Sequence, residues 1–195
     1  MAALFTATYP AMVRKRVLDG SFARFTRAPD DPHSPTLEQV LHVVPSTWGK
    51  PTSVLGFSPS RADDAVFCEQ VARYQRMTAS PSAIKQLMMA NDRIDMRAIL
   101  PLIRRPTLII HQRGERTVRC ANRRFLADHI PVAVYLELPG VDHYFVGQED
   151  ADAIVDAIRG FGGSERAREI ARQSERWLAT ALFTDIVGST DCNRY

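Results

Sequence analysis

The chain has 195 residues, 45% of them apolar and 24% charged, which fits one globular domain or a domain plus a piece of another and argues against disorder throughout. Basic residues number 25 and acidic residues 22, for a net charge of +3; the two signs are interspersed, so no nucleic-acid partner is expected. Cys68, Cys120 and Cys192 have no paired spacing, which argues against a disulfide framework or a cysteine zinc site and fits a reducing cytoplasm.

Met1 to Tyr9 is apolar on nearly every side and closes at Pro10, predicting a buried helix. It is a poor signal peptide, because Arg14-Lys15-Arg16 follows the apolar stretch instead of preceding it. No run anywhere reaches the length of a membrane span. Val13 to Leu18 predicts a short strand entering a turn at Asp19-Gly20. Residues 28–61 are rich in proline and read as irregular connection with short helices. Helices are predicted over 62–77, from Val66, Val71 and Tyr74, and over 81–91, from Ile84, Leu87 and Met88.

Beyond Pro101 strand and helix alternate. Thr107 to Ile110 is a short β-branched run of the kind a parallel sheet buries on both faces. A turn at Gly114 to Thr117, a helix over 119–128 carrying Ala121, Phe125 and Leu126, and a strand at Ala133 to Leu138 follow. Pro139 to His143 is then a loop, and a last helix over 149–161 sets Ala153, Ile154, Ala157 and Ile158 on one face. This is the βαβα order of an open parallel sheet in an α/β protein.

Ligands of such sheets sit beyond the carboxyl ends of the strands. Glu115 follows the first of these two strands and His143 the second. Taken singly, each reads as a solvated loop residue. Together with the intervening helix and the Leu138-Pro-Gly-Val-Asp-His143 loop, they resemble the second half of an α/β-hydrolase domain, whose triad runs nucleophile, acid, histidine along the chain. The resemblance implies that Glu115 orients the imidazole and that His143 is general base and acid for a serine. The family usually has aspartate in this turn, so Glu115 is a departure that lengthens the acid arm.

The same resemblance implies that Met1 to Tyr9 is the remainder of the helix behind a G-x-S-x-G elbow. No G-x-S-x-G occurs in the chain, so the nucleophile and at least one oxyanion donor would precede Met1. Residues from about 28 to 100 would be the cap insertion, with Trp48, Phe57, Met77, Met88 and Met89 lining the site or, more plainly, packing the cap itself. His111 on its strand, and His33, His42 and His129, read as packing or surface residues.

Gly160 to Ser164 reads as a flexible hinge, and residues 165–176 as a charged helix with Ala167, Ile170, Ala171, Ser174 and Trp177 at helical spacing. Leu178 to Ile186 suits a strand. A carboxylate near its end, beside the Gly188-Ser189-Thr190 turn, can hold Mg²⁺ or Mn²⁺ against a triphosphate, or can merely cap the strand. The run Phe183 to Thr190 resembles the opening strand of a class III nucleotide cyclase. That resemblance implies Asp185 as one of two metal-binding aspartates, the Ile186 carbonyl as a further ligand, and Gly188, Ser189 and Thr190 near the phosphates of a nucleoside triphosphate. It also implies a homodimer, with the linker helix pairing with its copy as the alternative to a plain solvated helix.

The whole reads as a fragment of a hydrolase–cyclase fusion of the mycobacterial type. Residues 1–160 form a partial α/β-hydrolase domain, 161–177 a linker helix and 178–195 a cyclase stub. The parent would make a cyclic nucleotide and carry a module for a small-molecule ester or ligand. The fragment is expected to be inactive as a cyclase, because one aspartate cannot carry two-metal chemistry. The alternatives are a noncatalytic ligand-binding module and a residual hydrolase of the esterase type.

Overall fold

The computed structural model describes residues 2–29, 34–118, 120–143 and 151–163. Three strands form one parallel sheet: β1 (Arg16–Asp19), β2 (Thr107–Gln112) and β3 (Ala133–Leu138), in the spatial order β1-β2-β3. Arg16 lies in register with Thr107, and Thr107 with Ala133. β2 is central and every one of its residues is buried, as a strand covered on both faces must be.

Alternation along β2 divides the core in two. On one face Ile109 and Leu18 pack with Ala3, Leu100, Ile103, Leu126 and Ile130, which come from helix α1 (Ala2–Thr8), the 3₁₀ turn Arg97–Leu102 and its exit, and helix α6 (Cys120–His129) with the residue after it. On the other, Leu108, Ile110 and Leu138 meet Ile154 of helix α7 (Ala151–Gly163). Ile154 is 1% exposed, so Ile154→Ala should cost about 2–5 kcal/mol through lost burial and a residual cavity. A urea midpoint that stays put would contradict that packing.

Between β1 and β2 lies a helical insertion: α2 (Leu37–Thr47), α3 (Val54–Phe57), α4 (Ala65–Thr78) and α5 (Pro81–Asp92). The expected helices over 62–77 and 81–91 are thus α4 and α5, with ends moved by at most three residues. The proline-rich stretch, by contrast, holds the 11-residue helix α2. Thr36 and Gln39 form a reciprocal capping box at its start, which satisfies two donors that a helix otherwise leaves open. Pro45 falls close to the end of α2, where it removes one backbone bond without preventing the helix.

Two other expectations are corrected. The first helix is one-sided: Ala3 and Thr6 are buried, while Leu4 and Phe5 are 42% and 41% exposed. The hinge expected from Gly160 is the last turn of α7, which runs on to Gly163. Tertiary contact overrides glycine's poor helix propensity there, because Phe161 packs on the second core cluster and its carbonyl accepts a 2.7 Å hydrogen bond from Lys15 Nζ. The buried face of α7 is accordingly Ile154, Ala157 and Phe161, with Ala153 and Ile158 turned to solvent. The expected linker helix beyond Gly163 and the strand Leu178 to Ile186 lie outside the described residues. No helix among the described residues is long and apolar enough to cross a membrane.

Candidate active site

The loops after β2 and β3 are zipped together by backbone. Arg113 N donates to Leu138 O and Gly114 N to Gly140 O, both at 2.8 Å, so strand pairing continues two residues past the strand. Gly114 permits this approach, since a β-carbon on it would lie 2.6 Å from Val141 Cγ1. Glu115 and His143, carried by these two loops, are therefore brought together as the sequence suggested.

Glu115 is buried, at 6% exposure. Its Oε1 accepts hydrogen bonds from Val118 N at 3.0 Å and from His143 Nδ1 at 2.6 Å. Its Oε2 lies 2.7 Å from His111 Nε2. Burial pushes the carboxyl upward, but the side-chain hydrogen bonds of His111 and His143, with their charge, outweigh it and hold Glu115 down at about 2. Glu115 is thus an anion at neutral pH, and an acceptor at Nδ1 selects the tautomer whose lone pair is on Nε2. Such an imidazole is set up to take a proton through Nε2.

His143 is also held from two other sides. Its backbone N donates to Phe57 O at 2.8 Å, and the Phe57 ring lies 6.1 Å from the imidazole, centroid to centroid. Asp142 is buried and accepts from Ser60 N at 3.0 Å and from the Ser60 hydroxyl. Thr117 Oγ1 donates to Gly56 O at 2.5 Å. The short segment 56–60 of the insertion therefore grips both loops of the acid–histidine pair.

From below, Gly20 underlies the imidazole. Its φ of +52° suits glycine, and a β-carbon there would stand 2.7 Å from His143 Cε1 and 2.9 Å from Nδ1. Gly20→Ala should therefore displace the ring and cost on the order of 1–3 kcal/mol through strain alone. A crystal structure of the variant with the Nδ1–Glu115 contact still at its present length would refute this.

Asp19, at the end of β1, was not expected in the site. Burial raises its carboxyl to about 6; the charge of His143 lowers it and that of Glu115 raises it. Its sequence signal was an acid closing a strand in front of a glycine. His111 is the other omission: expected as a packing residue, it is buried against Glu115. His42 is exposed, His129 is exposed and stacks on Phe125 at 3.8 Å, and His33 lies outside the described residues.

Of the apolar residues suggested as lining, Phe57 reaches His143, whereas Met77 and Met89 are 76% and 41% exposed. The indole of Trp48 donates to Ala79 O at 2.9 Å, within the insertion. Three serines lie in the segments around the site. Ser21 donates to Asp19 O, Ser60 is held by Asp142, and Ser58 Oγ is buried with no hydrogen-bond partner. Asp185, Ile186, Gly188, Ser189 and Thr190 lie outside the described residues.

No family model and no curated protein matches the chain. Solved structures do. An esterase from Exiguobacterium antarcticum is similar with a TM-score of 0.66 at 18% identity, over 82% of this chain and 63% of that one. MGS-M2, an α/β-hydrolase enzyme from a deep-sea metagenome library of the Medee basin, gives 0.65 at 19% identity, over 93% and 63%. The enol-lactonase from Burkholderia xenovorans LB400 gives 0.56 at 19% identity, over 82% and 60%. At these identities the likeness establishes the fold: a parallel sheet with helices that makes up part of an α/β-hydrolase fold. The chain spans about 60% of the length of these structures.

Proposed function

We propose that the chain carries the acid and histidine of an α/β-hydrolase-type acyl hydrolase acting on small-molecule esters. The observation that carries this reading is the 2.6 Å contact of His143 Nδ1 with a buried, ionised Glu115, at the carboxyl ends of adjacent parallel strands. In that role His143 Nε2 removes the proton of an attacking serine and later returns it to the leaving alcohol. Glu115 orients the ring and stabilises its cationic form. The structural neighbours described as an esterase and an enol-lactonase support the ester class.

The chain contains no G-x-S-x-G elbow, so the reading places the serine outside these 195 residues. The test joins the chain to a strand–turn–helix segment bearing a serine elbow and follows short-chain p-nitrophenyl esters. Saturable hydrolysis is expected, falling about 10³-fold or more with His143→Ala. Turnover that survives His143→Ala would overturn the reading. The 195-residue chain alone should give none.

A second reading concerns Phe183 to Thr190 and rests on that run alone. It is the opening strand of a class III cyclase domain in a longer parent. There Asp185 and the Ile186 carbonyl hold Mg²⁺ or Mn²⁺, and Gly188, Ser189 and Thr190 face a nucleoside triphosphate. With one aspartate, the chain should form no cyclic nucleotide from ATP or GTP with Mn²⁺. Product that disappears in Asp185→Ala would show otherwise.

A further inference from the structure

We propose that His111 is a positioning residue of this site: from the central strand it fixes one oxygen of Glu115 so that the other meets His143. For its functional meaning this rests on the reading of Glu115 and His143 as an acid–histidine pair. Its geometry stands independently.

Arm length sets the requirement. Glutamate has one more methylene than aspartate, hence one more torsion to freeze before its carboxylate can face an imidazole. Val118 N and His143 Nδ1 both address Oε1. A carboxylate held by one oxygen can still swing about its last torsion, whose energy profile is broad. His111 limits that freedom: Nε2 stands 2.7 Å from Oε2, a close polar contact without the in-line geometry of a full hydrogen bond, and both side chains are 1% exposed.

Its place in the fold makes His111 a rigid anchor. It sits on β2 between Ile110 and Gln112, both buried, and in register with Glu137 of β3. The turn after Gln112 brings Glu115 back over it, four residues on. An ionised carboxylate only accepts and a ring N–H only donates, so His111 Nε2 and Glu115 Oε2 are complementary. The other acidic groups facing this cluster have different engagements. Glu137 accepts from Arg113 Nε at 2.9 Å and from Tyr135 OH at 3.1 Å. Asp19 acts on His143 and Glu115 through its charge. A strand histidine thus stands against the far oxygen of the glutamate.

Three variants test this. His111→Phe keeps a ring and removes the N–H. His111→Gln returns an amide N–H near the Nε2 position. His111→Asn keeps a polar side chain whose amide reaches only to the Nδ1 position. The readout is the slowly exchanging Nδ1–H resonance of His143 in the ¹⁵N-histidine NMR spectrum of the full chain at neutral pH, with circular dichroism as the check on folding. The resonance should persist in the wild type and in His111→Gln, and be lost in His111→Phe and His111→Asn. In parallel, the Glu115 carboxyl should titrate at about 2 in the wild type and about one unit or more higher in His111→Asn, with His111→Gln restoring it. Retention of the Nδ1–H resonance in both His111→Phe and His111→Asn overturns the proposal. Because neither readout involves hydrolysis, a positive result here beside an inert elbow fusion would fault the acyl-hydrolase reading and leave the positioning role standing.

Discussion

Glu115→Leu should lower stability at pH 7 by about 3–5 kcal/mol, the scale for removing one partner from a buried polar cluster. The leucine fills a similar volume, so the loss is one of polar satisfaction more than of packing. Val118 N–H and His143 Nδ1 donate to the carboxylate and His111 Nε2 lies 2.7 Å from it, and a buried donor left without a partner costs about 1–3 kcal/mol. The pH dependence carries the distinguishing sign. Glu115 falls from an ordinary 4.5 to about 2 on folding, so its contribution is complete above 4.5 and is lost as pH drops through that window toward 2. That displacement corresponds to roughly 3 kcal/mol. Urea midpoints of the wild type and Glu115→Leu should therefore converge between pH 5 and pH 2. Parallel curves over that range would show that the carboxylate is not held as an anion.

The fold was legible where periodicity and burial agree. Thr107 to Ile110 announces a parallel sheet because a strand covered on both faces must be apolar throughout, and Ala133 to Leu138, with Glu137 in it and Val134 exposed, follows from the alternation of strand and helix; both lie where expected. Glu115 and His143 were legible because strand ends mark the ligand side of such sheets. Helix α2 was hidden, since proline content outweighs a capping box to a reader who sees only composition. The end of α7 was misread for a related reason: Gly160, Gly162 and Gly163 suggest a hinge, but the Lys15–Phe161 contact that holds the turn spans 146 residues of sequence. His111 and Asp19 escaped because their significance lies in what they face. A histidine inside an apolar strand is indistinguishable from a packing residue until a carboxylate four residues later folds back onto it.

Asp19→Asn should stabilise the protein at pH 7 to 8 by as much as about 3 kcal/mol, and should do nothing at pH 3. Burial lifts the Asp19 carboxyl from 3.8 to about 6 in the folded protein. Below 3.8 it is protonated in both folded and unfolded chains and exerts no net effect. As pH rises from 3.8 to 6, the unfolded chain ionises first, so the folded state is progressively disfavoured. Above 6 the full cost is present, and the displacement converts to about 3 kcal/mol. An asparagine of nearly the same shape stays neutral throughout and escapes it. A half-buried acid that costs stability at neutral pH beside a candidate general base is the kind of local strain that active sites retain. Denaturant midpoints of the two proteins at pH 3 and pH 8 check the sign. A gain of equal size at both values would trace the effect to packing, and a loss at pH 8 would mean that the Asp19 anion is favourably paired in the folded protein.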